Sequence, residues 1–168
     1  AALMLSCMVD RVAGDPISAV AHEGAIDAAS LADPPAVNLK SLRIAMSADF
    51  GFAPTEIGIR QVFAEKCEAL APDFGSMTPD HPDCTDADRV FGILRSVLFL
   101  GRHREMAASH PDQVGPNIHR QIEEGLGYTV TDVAWALARQ SAMYRSWQEF
   151  FERYDLLVTP AITISPRP

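Results

Sequence analysis

The fold is decided by residues 129–160, which read TVTDVAWALARQSAMYRSWQEFFERYDLLVTP. Thr129 with Asp132 predicts the start of a long helix. Apolar side chains then recur along one side of that helix for about six turns, at Val133, Ala136, Leu137, Met143, Tyr144, Trp147, Phe151 and Tyr154. After Asp155 the apolar run LLVTPAITI predicts a strand whose register is interrupted by Pro160.

A second strand is predicted at residues 42–47, LRIAMS, because a short apolar run is typical of a strand buried on both faces. The turn ADFGFAP leads from it into a helix that begins near Thr55 or Glu56. The mostly apolar face of that helix comprises Val62, Phe63, Lys66, Cys67 and Leu70. Residues 1–13, AALMLSCMVDRVA, predict a further helix, and residues 14–41 predict a long connection.

The segment between the two strands is predicted to be mainly helical. Residues 72–83 form a loop with a short strand at 74–77. Thr85 followed by Asp88 resembles a capping box and predicts a helix start, and His110 with Pro111 ends that helix. Its apolar positions are Val90, Phe91, Leu94, Val97 and Leu98. A shorter helix is expected from residue 116 or 117 to about Glu124, where glycines follow.

This order of elements predicts an α/β fold with helices packed on part of a mixed sheet. Both predicted strands have the composition of central strands, which need neighbours on each side. Two such strands cannot supply a complete sheet by themselves. We therefore expect residues 1–168 to be the interior portion of a larger α/β domain, an incomplete fragment with no separate domain boundary inside it.

Composition narrows the class of protein. Apolar residues make up 48% and charged residues 21% of the 168 residues, which are globular proportions. The formal net charge is −8, so the chain lacks the basic face that direct nucleic-acid binding needs. No uncharged run is long enough for a transmembrane helix, and the 3 cysteines are too few and too widely spaced for a disulfide framework. We expect a cytoplasmic protein with no membrane partner. The sequence is compatible with a homodimer as well as with a monomer.

Most chemically suggestive residues have a simpler structural explanation. His81 and Cys84 lie close in sequence, but structural zinc needs a second such pair, so no metal site is predicted. The basic cluster at residues 102–104 is favoured by the dipole at a helix end. Cys67 lies on an apolar helical face and is expected in the core. The motifs GxSxG, GxGxxG, GxxxxGK(S/T) and HExxH are absent.

Two places are better candidates for a binding site. Thr159 and Pro160 end an apolar strand, and ligands of open α/β sheets collect at the carboxyl ends of strands. A proline that merely ends strand pairing explains them equally well. Arg120 and the polar residues after it can meet a polar substrate group, although a solvated helix face is the simpler interpretation.

Taken in order, these segments resemble the middle-to-late part of the amidase signature family. Residues 1–16, AALMLSCMVDRVAGDP, resemble the helix and Gly-Asp-Pro turn after that family's central catalytic stretch. Residues 42–70, LRIAMSADFGFAPTEIGIRQVFAEKCEAL, are similar to its strand, proline-containing loop and helix. The strongest match is residues 118–166, IHRQIEEGLGYTVTDVAWALARQSAMYRSWQEFFERYDLLVTPAITISP, which resemble its short helix, long helix and following strand.

The resemblance implies an enzyme that hydrolyses small-molecule carboxylic amides without a metal or organic cofactor. In that family a serine attacks the amide carbonyl, a second serine in a cis peptide relays its proton to a lysine, and backbone N–H groups hold the oxyanion. Those residues belong upstream of this chain, so no position in it is predicted to be catalytic and the segment alone is expected to be inactive. Thr159 and Pro160 match the family's Thr-Pro near the active site, and Arg120 matches a region that binds substrate in the tRNA-dependent branch.

Two alternatives accompany this expectation. The first is the A subunit of an aspartyl/glutamyl-tRNA amidotransferase, which brings protein partners and a charged tRNA. That branch usually has two adjacent arginines where this chain has Arg120 and Gln121. The second alternative is a non-catalytic helical interaction module that folds alone, which predicts a cooperative thermal transition for these residues by themselves.

Overall fold

The computed structural model describes residues 36–165, together with Met4. The chain divides into two compact units between Asn38 and Leu39, and the elements below lie in the second unit, Leu39–Pro168. The helix predicted over residues 1–13 and most of the connection predicted over 14–41 fall outside the described residues, apart from Met4, which is helical.

A three-stranded parallel sheet forms the centre of this unit. Its strands, in the spatial order β2-β1-β3, are β1 (Arg43–Met46), β2 (Ser76–Pro79) and β3 (Leu156–Val158). β1 is the middle strand, and its Ile44 and Ala45 are fully buried, as an apolar parallel strand requires. The predicted α/β class is confirmed, and the described strands are all parallel rather than mixed. β3 is an edge strand of the described sheet, and its Leu156 is 48% exposed.

Four helices connect the described strands. They are α1 (Ile57–Leu70), α2 (Ala87–Ser109), α3 (Pro116–Gly127) and α4 (Val130–Arg153). α1 joins β1 to β2 and begins next to the predicted Glu56. The other three helices join β2 to β3, and α2 packs against both α3 and α4. One helix therefore lies on the first crossover, from β1 to β2, and three helices lie on the second, from β2 to β3.

The two Thr-x-x-Asp patterns have different outcomes. At α4, the Thr129 hydroxyl accepts a hydrogen bond from the Asp132 amide (3.2 Å), and the Asp132 carboxylate accepts one from the Thr129 amide (2.9 Å). The predicted start of α4 is therefore confirmed. At α2 the predicted capping box is wrong. That helix begins after Asp86, whose φ of 68° is left-handed, and the Thr85 amide donates to the Asp83 carboxylate instead.

Gly125 allows close packing between α2 and α3 and does not end α3. The helix continues past the predicted end at Glu124 and runs to Gly127. Gly125 lies inside this helix. A glycine is required there because a Cβ would be 2.6 Å from the Ser96 carbonyl oxygen of α2. Gly125 therefore permits the close approach of two helices and does not end one. The predicted break of α2 before Pro111 is confirmed, since that helix ends at residue 109.

The buried side chains differ in part from the predicted apolar faces. On α4, Ala136 is fully buried as predicted, but Phe150 was not in the predicted set and is 1% exposed, whereas Tyr144 is 65% exposed. On α1, Cys67 is the buried member of the predicted face, and Val62 is 55% exposed. Both helices carry apolar residues on more than one side, so periodicity alone does not say which side meets the sheet. The buried apolar residues of the described chain are Ile44, Ala45, Cys67, Cys84, Val90, Ile93, Val114, Ile122, Ala136 and Phe150.

Candidate functional site

The carboxyl ends of the three parallel strands meet at one edge of the sheet. β1 is followed by Ser47, β2 by Asp80, and β3 by Thr159 and Pro160. The Ser47 amide donates to the Val158 carbonyl at 3.1 Å, which ties the ends of β1 and β3 together. The chain leaves β1 toward β2 and later returns to β3 on the opposite side of β1. The β1–β3 edge is therefore a topological switch point, where open α/β sheets bind ligands.

The turn after β1 is held by short-range hydrogen bonds. The Ser47 hydroxyl accepts a bond from the Phe50 amide, and the Asp49 carboxylate accepts one from the Gly51 amide, both at 2.8 Å. Phe50 and Gly51 have φ values of 52° and 75°, in the left-handed region that a phenylalanine rarely adopts. A Cβ at Gly51 would lie 2.7 Å from the His81 ring. The turn after β1 is therefore packed directly against the loop after β2.

Asp80 anchors β2 to the end of α4. Its carboxylate accepts hydrogen bonds from the Tyr154 hydroxyl (2.9 Å), the Arg153 guanidinium (2.8 Å) and the His81 amide (2.8 Å). Partial removal from water opposes ionisation of Asp80, but these hydrogen bonds outweigh it and hold the pKa of the carboxyl below its usual range. Asp80 is therefore an ionised structural anchor and not a proton donor.

The predicted site residues Thr159 and Pro160 lie at the carboxyl edge, directly after β3, and both are half-buried. The strand ends at Val158, which confirms the predicted interruption before Pro160, whereas residues 161–164, which the predicted strand included, are not part of a strand. The Thr159 hydroxyl donates to the Pro160 carbonyl over 3.3 Å, and its oxygen keeps the capacity to accept. Thr159 can therefore receive a hydrogen bond from a ligand held at this edge.

The chain beyond Pro160 folds back over the start of α1. The Thr163 carbonyl accepts a bond from the Glu56 amide (2.9 Å), and the Glu56 carboxylate accepts bonds from the Ser165 hydroxyl (2.7 Å) and amide (3.1 Å). These two bonds, the hydroxyl first, lower the pKa of Glu56. An apolar cleft of about 450 Å³ lies between this segment and α1 and reaches the carboxyl edge at Pro160. Its α1 wall comprises Gly58, Ile59, Val62, Phe63 and Lys66.

The third predicted site residue, Arg120, lies elsewhere, on α3. Its guanidinium pairs with Glu124 one turn along the same helix (2.7 Å), and its side chain is 63% exposed. Gln121 beside it is buried and donates to Glu124 (2.8 Å), which also accepts from the Ser96 hydroxyl (3.2 Å). The interpretation of this stretch as a solvated face is therefore wrong for Gln121. Within residues 36–165, no hydrogen bond or ion pair links Arg120 to the residues after β3.

The cysteine candidates have the environment of structural residues. Cys67 is buried, as predicted for a core residue, and burial raises the pKa of its thiol. Burial also raises the pKa of Cys84, helped by the charge of Asp83 and opposed by a hydrogen bond with Trp147. Neither thiol has the thiolate character that a nucleophile needs. Over the described range, no group of three or more side chains can hold a metal ion, and no helix is long and apolar enough to cross a membrane.

The residues of the carboxyl edge that were not predicted include Ser47, Phe50, Asp80 and His81. Ser47 had a usable signal, because it is a polar residue directly after an apolar strand, as Thr159 is. His81 had none, since its contact with Gly51 depends on β1 and β2 being neighbours. The composition of the edge thus follows from strand order as much as from local sequence.

No protein-family model, curated protein or solved structure matches this chain. The resemblance to the amidase signature family therefore stays a prediction.

Proposed function

We propose that the protein hydrolyses carboxylic amides and that residues 1–168 form the interior portion of an amidase signature domain. The observation that carries the proposal is the position of Thr159 and Pro160, which follow β3 at the β1–β3 switch point. The family that the sequence resembles has a Thr-Pro pair at a strand end close to its active site. Thr159 and Pro160 thus lie at a strand end in this fold, as the Thr-Pro pair does in the family pattern.

The distribution of apolar surface supports a larger domain. Each of the four helices has a large apolar side chain that is more than half exposed. Outside the cleft at Pro160, these include Ile57 on α1 at 74%, Leu126 on α3 at 57% and Tyr144 on α4 at 65%. Extended apolar surface normally marks a place where something binds. In the proposal, further elements of the same domain cover these faces and continue the sheet beside β3.

In the proposed reaction, the groups that break the amide C–N bond come from parts of the protein outside residues 1–168. A serine oxygen bonds to the acyl carbon as the C–N bond breaks, the departing nitrogen takes a proton, and water then releases the carboxylic acid. Within this chain, the Thr159 oxygen accepts the substrate amide N–H, and the cleft at Pro160 receives the substrate's apolar part. Ser47 is not assigned as the nucleophile, because within residues 36–165 no lysine or histidine is hydrogen-bonded to its hydroxyl to act as the base, and its partner is the Phe50 amide at 2.8 Å.

The contacts of Gln121 argue against the tRNA-dependent amidotransferase. That branch usually has a second arginine at this position, whereas Gln121 is a buried amide that donates to Glu124 at 2.8 Å. Arg120 is paired with Glu124 at 2.7 Å on the same helix. This part of α3 therefore lacks two adjacent arginines that could bind a charged substrate group. The net charge of −8 is also unfavourable for contact with a tRNA backbone.

The proposal is tested with the full-length protein that contains this chain. Purified protein is incubated with simple primary amides and anilides, with and without EDTA, and the release of ammonia or aniline is measured. We expect turnover that survives EDTA and needs neither ATP nor glutamine. Thr159→Val keeps the side-chain shape but removes the hydroxyl, so kcat/KM should fall about tenfold. Thr131→Val, on the exposed start of α4, is the matched control and should leave kcat/KM unchanged.

Two other results would identify the alternatives. Amide formation that depends on ATP, glutamine and a charged tRNA would identify the amidotransferase subunit. Absence of turnover, together with a cooperative thermal transition of residues 1–168 alone, would support the helical interaction module and overturn the proposal.

A further inference from the structure

Two grooves meet along α2 at a ladder of three side chains, Phe91, Arg95 and Phe99. The Arg95 guanidinium lies 5.4 Å from the centre of the Phe91 ring and 5.1 Å from that of Phe99, so cation–π contacts hold it between them. An apolar groove of about 570 Å³ runs between α2 and α4 on one side of the ladder. A polar groove of about 390 Å³ lies between α2 and α3 on the other. Arg95 lines both grooves.

The apolar groove has the dimensions of a small-molecule site. Val90 at its base is 4% exposed, and Leu94, Leu98 and Met143 line it further along. Between Ala87 and Arg95 it follows α2 for roughly 12 Å at the helical rise of 1.5 Å per residue. Its volume of about 570 Å³ falls within the range of ligand pockets. The groove therefore accommodates an extended alkyl chain whose end lies at Arg95.

Arg95 supplies the charge that such a ligand would meet. Within residues 36–165 it has no ion pair or hydrogen bond, although its guanidinium carries five N–H donors. Arg120 lines the same polar groove, but its guanidinium is paired with Glu124 at 2.7 Å. Asn117 on α3 adds a side-chain donor to that groove. A carboxylate matches the planar donor fork of arginine in both charge and geometry.

We propose that these grooves bind an amphipathic carboxylate. Its headgroup lies on Arg95 with Asn117 beside it, and its alkyl tail lies in the groove between α2 and α4. A neutral helix from another protein fits less well, because the apolar groove is bordered by an unpaired cation. This inference does not depend on the proposed amide hydrolysis, since it uses neither Thr159 nor the carboxyl edge.

The test is a titration of the full-length protein, labelled with ¹³C at methionine methyl groups, with decanoate below its micelle concentration. Met143 lines the groove, whereas Met46 in β1 is the internal reference, and Met143→Leu assigns the signal. We expect decanoate to move the Met143 signal alone and to bind at least about tenfold more tightly than decanol. Arg95→Gln should remove that preference. Arg89→Gln on the same helix is the matched control, because Arg89 lies over the Trp135 ring and lines neither groove. It should change decanoate affinity less than about twofold.

Three outcomes would overturn the proposal. Equal binding of decanoate and decanol would mean that the groove selects no headgroup. Unchanged decanoate affinity in Arg95→Gln would mean that Arg95 is not the cation that binds the headgroup. A Met143 signal that no probe moves would mean that another element of the protein, or a second copy, covers the groove.

Discussion

Two glycines allow close contacts in different parts of the molecule, and they do so for different reasons. Gly51, in the turn after β1, has a φ of 75° and lies against the His81 ring, whereas Gly125 lies inside α3 against the Ser96 carbonyl of α2. An added Cβ would meet a side-chain ring at 2.7 Å in the first case and backbone at 2.6 Å in the second. The carboxyl edge can therefore adjust by moving a side chain, but the contact between α2 and α3 can adjust only by moving a helix.

The largest effect is expected at the helix contact. Gly125→Ala should lower the free energy of unfolding by about 2 kcal/mol, because overpacking against backbone outweighs the gain in helix propensity. Gly101→Ala in α2 is the matched control, since nothing lies within 4 Å of a Cβ there. That control should raise stability by roughly 0.5–1 kcal/mol. Urea unfolding measures both, and stabilisation by both variants would contradict the close contact.

The next effect is expected at the carboxyl edge. Gly51→Ala should cost about 1.5 kcal/mol, because alanine at positive φ is strained and its Cβ meets His81. His81→Ala removes the ring but leaves the backbone strain. The double variant should therefore lose less stability than the sum of the two single changes in a double-mutant cycle. Strict additivity would show that the ring does not restrict the turn.

A smaller effect is expected from the polar network between α2 and α3. Ser96 is fully buried, and its hydroxyl donates to Glu124 at 3.2 Å and to Gln121 at 3.4 Å. Ser96→Ala should lower the free energy of unfolding by about 1 kcal/mol, because a buried acceptor loses its donor. Ser141→Ala on the exposed side of α4 is the control and should change little. Equal melting temperatures for the two variants would contradict this role of Ser96.

The smallest effect is expected at the opposite edge of the sheet, where Asp155 binds Arg43. The carboxylate accepts bonds from the guanidinium at 3.0 and 3.2 Å and from the Arg43 amide at 2.8 Å. These bonds, the side-chain ones first, lower the pKa of Asp155 from 3.8 to about 2. Because the folded-state pKa is depressed, the stabilisation is complete above about pH 5 and is lost as the pH falls through 2.

Asp155→Asn should abolish that part of the acid dependence. The check is the melting temperature of both proteins between pH 6 and pH 2, where the natural chain should lose more than the variant. Parallel melting curves over this range would mean that the ion pair does not contribute.

Local signals were sufficient for β1, β3 and α4, because an apolar run and a capping pair are complete within a few residues. The same Thr-x-x-Asp pattern failed at Thr85. There Asp86 accepts a bond from Arg139 at 3.1 Å, 53 residues further along the chain, and adopts positive φ. Gly125 was likewise misinterpreted as a helix end because its neighbour, Ser96, belongs to another helix. Contacts between distant segments therefore account for these differences.

The residues of the candidate site were also predictable only where the signal was local in the sequence. The strand-end rule was sufficient for Thr159 and Pro160, since it uses only the end of one apolar run. The packing of His81 against Gly51 required the strand order β2-β1-β3, which local patterns leave undetermined. The pairing of Arg120 with Glu124 was available from their i, i+4 spacing and weakens Arg120 as a substrate-binding residue.

The central claim is that this chain supplies one wall of an amidase site whose nucleophile lies elsewhere in the protein. Labelling the full-length protein with a fluorophosphonate, followed by peptide mapping, tests this claim most directly, because the reagent reacts with activated serines. We predict one labelled serine outside residues 1–168, with amide hydrolysis lost in proportion to labelling. A label on a serine within these residues, such as Ser47, or hydrolysis that continues after full labelling, would contradict the account.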